Sequence, residues 1–178
     1  VKGKTVCEVG AGVGLVGLVC AMHGADVTLT DLSVALPTLN ENIARNQDKL
    51  AATGGSVRAL ALDWCSTDVD TFPNFDIVVG TDLLAWVGFD LLMDDPLESL
   101  PNVCSRLVKS DGTIFLVHKE REETRESRFL HLCRERGMLT EVGQEDITTM
   151  ASQSVEGEPG KLILLTMGKG ATAVATPS

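Results

Sequence analysis

No apolar run in this chain approaches the ~20 residues that cross a bilayer, and no charged-then-apolar leader opens it, so neither a membrane span nor a secretory start is expected. Positive charge is scarce. Fifteen Lys and Arg stand against 25 Asp and Glu, a formal charge of −10, which repels a phosphate backbone and argues against a nucleic-acid partner. A basic, lysine-bearing protein segment suits it better. The five cysteines, at 7, 20, 65, 104 and 133, are odd in number and widely spaced, so neither a disulfide framework nor a metal centre is expected. Reduced thiols in the cytoplasm account for them. Internal repeats and low-complexity blocks are also missing.

What is there reads as one domain. A chain of 178 residues buries roughly 70% of its unfolded surface and needs no staples. Residues 1–168 are expected to form that domain, and the small, polar residues 169–178 a loose tail. The chain opens on Val1 with only Lys2-Gly3-Lys4 before its first apolar run, as in a domain whose N-terminal segment is not included.

The densest signal is Val6-Cys7-Glu8-Val9-Gly10-Ala11-Gly12-Val13-Gly14-Leu15-Val16-Gly17. It reads as a strand ending on a carboxylate, a glycine turn that lets a ligand lie against backbone N–H groups, and a helix whose Gly17 permits close packing on a sheet. Residues 26–31 follow as a second strand that ends on Asp31, and 33–46 as a helix with Ser33 as its cap and Pro37 in its first turn. Further strands are expected at 57–62, before Asp63-Trp64, and at 75–80, before Thr81-Asp82. A helix over 96–109 buries Leu97, Leu100, Val103, Cys104 and Leu107. After a turn at Ser110-Asp111-Gly112, a strand over 113–118 ends on His118. The charge run 119–128 reads as the solvated face of a helix that ends at Gly137, and 138–142 and 161–167 as the last strands.

This alternation of strand and helix predicts an α/β fold with a mostly parallel sheet and helices on both faces. Ligands of such sheets sit beyond the strands' carboxyl ends, where the glycine turn, Asp31, Trp64 and Asp82 all fall.

Gly12-Val13-Gly14-Leu15-Val16-Gly17 matches a dinucleotide fingerprint, with Asp31 near the ribose-binding distance. That reading leaves Gly10 inside the strand and no room for a dehydrogenase's substrate domain. Read instead as Glu8-x-Gly10-x-Gly12-x-Gly14, with no phosphate-binding lysine, the turn is similar to motif I of the class I S-adenosylmethionine-dependent methyltransferases. Together with Thr28-Leu29-Thr30-Asp31, Trp64 and Phe75-Asp76-Ile77-Val78-Val79-Gly80-Thr81-Asp82, nearly the whole chain resembles the seven-β-strand protein-lysine methyltransferases of the methyltransferase-like 21 type.

The resemblance implies a single doubly wound, mostly parallel, seven-stranded Rossmann-like methyltransferase sheet and S-adenosylmethionine as cofactor. Glu8 and Gly14 would complete the cofactor motif, with Gly10, Ala11 and Gly12 along the methionine moiety, Asp31 on the ribose hydroxyls, Trp64 beside the adenine and Thr81 touching the cofactor. Asp82 would be the catalytic residue, positioning a substrate lysine, and Trp86 could border it. Each also has a plainer account: Asp31 as a helix cap, Trp64 as core, Glu8 as a support for loop amides, Asp63 as a turn acid, His118 as a loop residue rather than a proton acceptor. The family carries an aromatic residue three places after this aspartate, and here Ala85 stands there. A non-lysine acceptor, or a methyltransferase-like subunit without catalysis, are the alternatives.

Overall fold

In the computed structural model, which describes residues 1–66, 68–85, 96–119, 123–135, 139–147 and 162–169, the run Thr-Val-Cys-Glu-Val forms strand β1 (Thr5–Val9). Its β-branched residues suit a pleated, buried surface. Helix α1 (Leu15–Met22) and strand β2 (Asp26–Asp31) follow as expected. Ser33 does not cap a helix but begins a 3-10 turn (Ser33–Ala35) that leads into α2 (Leu36–Arg45), with Pro37 in the first helical turn. Helix α3 (Gln47–Thr53) buries only Leu50, so no apolar stripe announces it in the sequence.

Strands β3 (Ser56–Ala61) and β4 (Phe75–Thr81) come next, then α4 (Pro96–Leu107) and β5 (Val108–Lys119). The turn expected at Ser110-Asp111-Gly112 lies inside β5. There the pairing with β4 jumps from Phe75–Val108 to Ile77–Thr113, so the extra residues bulge from the ladder. Helix α5 (Glu123–Glu135) and strands β6 (Leu139–Asp146) and β7 (Leu162–Lys169) complete the described chain. Lys169 is still paired, with Leu139; residues 170–178 and the polar loop 156–160 lie outside the described residues.

The seven strands form one sheet in the order β3-β2-β1-β4-β5-β7-β6. The four pairings from β3 to β5 are parallel, but β7 runs antiparallel to both β5 and β6. The sheet is therefore mixed, because β7 returns between two strands that α5 joins in the same direction. Alternation along a strand says which face a residue takes and nothing about strand direction.

Both faces are covered. On one, Val6, Val27 and Leu29 pack under Leu18, Ala21, Leu39 and Leu50 of α1, α2 and α3. On the other, Cys7, Val78, Ile114, Leu116 and Leu165 pack under α4 and α5, with the five predicted α4 residues all buried. Gly17 brings α1 onto the sheet so closely that a Cβ there would lie 2.9 Å from Val27. Among the described residues, no helix is long and apolar enough to cross a membrane.

Gly55, between α3 and β3, faces the Ala21 carbonyl with no space for a side chain. The obstacle is backbone, which cannot rotate aside. Gly55→Ala is expected to destabilise the fold by about 1–3 kcal/mol, measured by urea denaturation, whereas a flexible side-chain neighbour would yield at less than that.

Candidate functional site

Chain order reverses at β1, whose neighbours are β2 on one side and β4 on the other, and α/β sheets bind ligands beyond strand ends at such a point. The adjacent carboxyl ends carry Asp63-Trp64 after β3, Asp31 on β2, the glycine turn after β1, and Thr81-Asp82 on β4. The glycine turn, Asp31, Asp63, Trp64, Thr81 and Asp82 thus come from one edge of the sheet.

The turn is tied down by its own chain. Ala11 N–H donates to the Thr30 carbonyl at 2.9 Å, and Gly14 N–H to the Ala11 carbonyl at 2.7 Å. Gly12 N–H donates to Oδ2 of Asp31 at 2.7 Å, while Oδ1 accepts from Leu32 N–H at 2.7 Å. Asp31 is therefore a strut from β2 to the turn and not a helix cap. From α2, Asn42 donates through Nδ2 to the Val13 carbonyl at 2.9 Å, a support that no sequence pattern reveals.

Gly10 and Gly12 are required for different reasons. Both have positive φ, +62° and +56°. A Cβ on Gly10 would strike Leu83 at 2.6 Å and press on the Trp64 ring at 3.3 Å, whereas one on Gly12 would meet nothing within 4 Å. Packing demands the first; the open side of the turn lies at the second. Trp64 is half-buried against the larger core. Its turn is held by the Asp63 carboxylate, which accepts from Cys65 N–H at 3.0 Å and from the Ser66 hydroxyl at 2.7 Å. These bonds, the Ser66 one foremost, hold the Asp63 carboxyl below its ordinary value. Asp63 is thus the turn acid.

Glu8 does not face the open side. It is 2% exposed and its Oε2 accepts from Gly17 N–H at 2.7 Å, so its carboxylate supports the first turn of α1 from beneath. Burial pushes its carboxyl up to about 7; the Gly17 and Val16 amides oppose that rise, and the Asp31 charge adds to it.

On the neighbouring strand, Thr81 and Asp82 are exposed at the end of β4. Asp82 is the sole non-glycine with positive φ among the described residues, at +60°. Its N–H donates to the Val117 carbonyl at 2.7 Å, and Lys119 N–H approaches Oδ1 at 3.4 Å. Left-handed backbone at a residue bearing a Cβ is strained and gathers at functional sites. Leu83, on the 3-10 turn Leu83–Ala85, is a site residue that sequence reading misses. Its methyls lie where a Cβ of Gly10 or of Gly80 would be, 2.6 and 2.5 Å away, so it joins the glycine turn to β4.

His118 is not on a rim loop. Alternation along β5 places it with Ile114 and Leu116 in the core, 4% exposed, with Nε2 2.7 Å from Oε2 of Glu126. Trp86 lies outside the described residues. No group of three His, Cys, Asp or Glu among the described residues is placed to hold a metal ion.

This chemistry suits a cation-bearing nucleoside better than a diphosphate. The amides of Ala11, Gly12 and Gly14 already serve the chain's own acceptors, and two carboxylates, Glu8 and Asp31, lie beneath and beside the turn. The open side at Gly12 is space that a side chain there would fill.

The buried Glu8 has a measurable consequence. Between its ordinary 4.5 and about 7, the folded protein keeps a proton that the unfolded chain has released, so stability falls as pH rises through that window. Urea denaturation at about pH 5 and about pH 8 is expected to show Glu8→Gln gaining on the parent protein at the higher pH, by about 1.4 kcal/mol for each unit the carboxyl is raised. An equal gap at both pH values contradicts the burial of this acid.

A family model described as lysine methyltransferase matches residues 1–136. The chain is 37% identical over 147 residues to mouse EEF1A lysine methyltransferase 3, covering 82% of this chain and 58% of that one. It is 33% identical over 151 residues to zebrafish protein N-lysine methyltransferase METTL21A, covering 82% and 64%. The chain thus spans about three fifths of the length of these relatives. Among solved structures, a TehB-like SAM-dependent methyltransferase from Corynebacterium glutamicum superposes with TM-score 0.67 at 19% identity, covering 95% of this chain and 82% of that one. The glycopeptide N-methyltransferase MtfA complexed with sinefungin superposes at 0.68 and 13% identity, covering 94% and 81%. At such identities these two speak for the fold alone. The extent of the family match and the identity with its curated relatives establish that this chain belongs to the lysine methyltransferase family.

Proposed function

We propose that this chain is the catalytic domain of an S-adenosylmethionine-dependent protein-lysine N-methyltransferase. The observation that carries the reading is the glycine turn. Its Ala11, Gly12 and Gly14 amides are satisfied from within, the Asp31 and Glu8 carboxyl groups lie beside and beneath it, it is open at Gly12, and it follows β1, the strand next to β4, whose end carries Asp82. When bound, S-adenosylmethionine supplies a methyl group on a cationic sulfur, ready for in-line displacement.

The chain's own residues then have distinct tasks. Gly10, Ala11, Gly12 and Gly14 shape the bed of the methionine moiety. Asp31, already braced on Gly12, offers its carboxylate to the ribose hydroxyls, and Trp64 borders the adenine. Thr81 touches the cofactor at the end of β4. Glu8 acts through α1, by holding the amides of Val16 and Gly17. Asp82 accepts a hydrogen bond from the incoming amine, aims its lone pair at the methyl carbon, and favours the positive charge that develops on nitrogen.

The substrate of this reading is a lysine on a protein with a basic surface, which the charge of −10 attracts, and not a nucleic acid. EEF1A, which the name of the mouse relative carries, is the first candidate to test. None of the five cysteines is in a disulfide, in keeping with the reducing cytoplasm. Ala85, where the family has an aromatic residue, favours a second reading in which the acceptor is not lysine.

Calorimetry on the full-length protein is expected to show S-adenosylhomocysteine binding, and Gly12→Val to weaken it at least ~100-fold by filling the bed. Absence of binding in the parent protein removes the whole reading. Asp82→Asn keeps a side chain that tolerates left-handed backbone. It is expected to bind S-adenosylhomocysteine within about twofold of the parent while methyl transfer falls about 100-fold. Mass spectrometry of the modified residue decides between lysine and another acceptor.

A further inference from the structure

The charge run that opens α5 reads in sequence as a solvated face, yet two of its residues turn inward. Glu126 sets Oε2 against Nε2 of buried His118 at 2.7 Å, and its Oε1 accepts from Nε2 of Gln144 at 3.0 Å. One carboxylate therefore ties α5 to β5 and β6 together. With α5 anchored there, the adjacent Arg125 donates through Nε to the Leu84 carbonyl at 2.8 Å, on the 3-10 turn that follows Asp82. Both Arg125 and Glu126 are half-buried. Arg128 on the same helix is the contrast: it pairs with Glu98 at 2.5 Å with both side chains well exposed, where an ion pair contributes little.

The turn that Arg125 reaches needs holding. Asp82 keeps φ at +60°, and a strained residue persists only where its surroundings over-determine it. Among the described residues that constraint comes from β5 through the Asp82 N–H bond to Val117, from the core through buried Leu83 and Leu84, and from α5 through Arg125. The guanidinium is a rigid, permanently charged donor, and its bond to a carbonyl is stronger than a neutral one.

We infer that Arg125, anchored by the His118–Glu126 pair, is a positioning residue that fixes the Asp82 turn for methyl transfer. The inference rests on the role proposed for Asp82 above. In this role Arg125 acts through the Leu84 carbonyl. Its loss leaves the glycine turn intact and lets Asp82 drift, so transfer falls while cofactor affinity holds.

The test uses the full-length protein and Arg125→Ala, Arg125→Lys and Arg128→Ala. Three quantities are read: hydrogen exchange of the peptide spanning 80–85, calorimetric affinity for S-adenosylhomocysteine, and the initial rate of label transfer from methyl-labelled cofactor into heat-inactivated cell-extract protein. Arg125→Ala is expected to exchange about tenfold faster over 80–85 and to transfer about tenfold more slowly, with affinity within about twofold of the parent. Arg125→Lys, which keeps a donor without the planar fork, falls between, and Arg128→Ala matches the parent. Parent-like exchange in Arg125→Ala overturns the inference, as does unchanged transfer alongside faster exchange. Should Arg125→Ala not fold, parent-like exchange and transfer in Arg125→Lys overturn it. If the parent binds no S-adenosylhomocysteine, the functional reading fails, and exchange over 80–85 still decides whether Arg125 holds the turn.

Discussion

The hydrogen bond between Gly12 N–H and the Asp31 carboxylate is the constraint from which the rest of the site follows. A turn in which Gly10, Gly12 and Gly14 all take positive φ has no ladder of its own to hold its shape. Strand β2 supplies what is missing, through Asp31 and through the Thr30 carbonyl that accepts from Ala11, and α1 is braced from beneath by Glu8. These bonds occupy donors that a diphosphate needs and bring the Asp31 carboxylate beside the turn. The same contacts thus shape the turn and select against an anion.

The two halves of the site are mechanically joined. Leu83 fills the space left by the missing side chains of Gly10 and Gly80, so the glycine turn and the end of β4 share one side chain. Asp82, one residue before it, takes a backbone conformation that only surrounding structure can maintain. Its supports come from the core beside it and from β5 and α5, whose contacting residues, Val117 and Arg125, are more than thirty residues away in the chain. The segment after β4 is therefore held by residues distant from it in the chain.

Much of this was readable in advance, and the reasons are local. Strands β1 and β2 ended where their apolar runs ended, and α4 buried the five residues that its spacing selected. The glycine turn, Asp31, Trp64 and Asp82 came to one edge because each follows a strand of a parallel array. What escaped had no periodic signature. Helix α3 hides because it buries one side chain, and β7 reads the same in either direction. Arg125 and Glu126 sit in a charge run, and composition cannot say which of its members turn in.

The sequence by itself determined the order of elements, the residues that fill the core, and the turn that only glycines can make, since these depend on side-chain size and spacing along the chain. Tertiary structure alone decided what the carboxylates do. Glu8 became a buried support, Asp31 a strut, and Glu126 a partner for His118, because a carboxylate's role depends on which amide, ring or solvent the fold brings within about 3 Å of it, and that distance is not written in any stretch of residues.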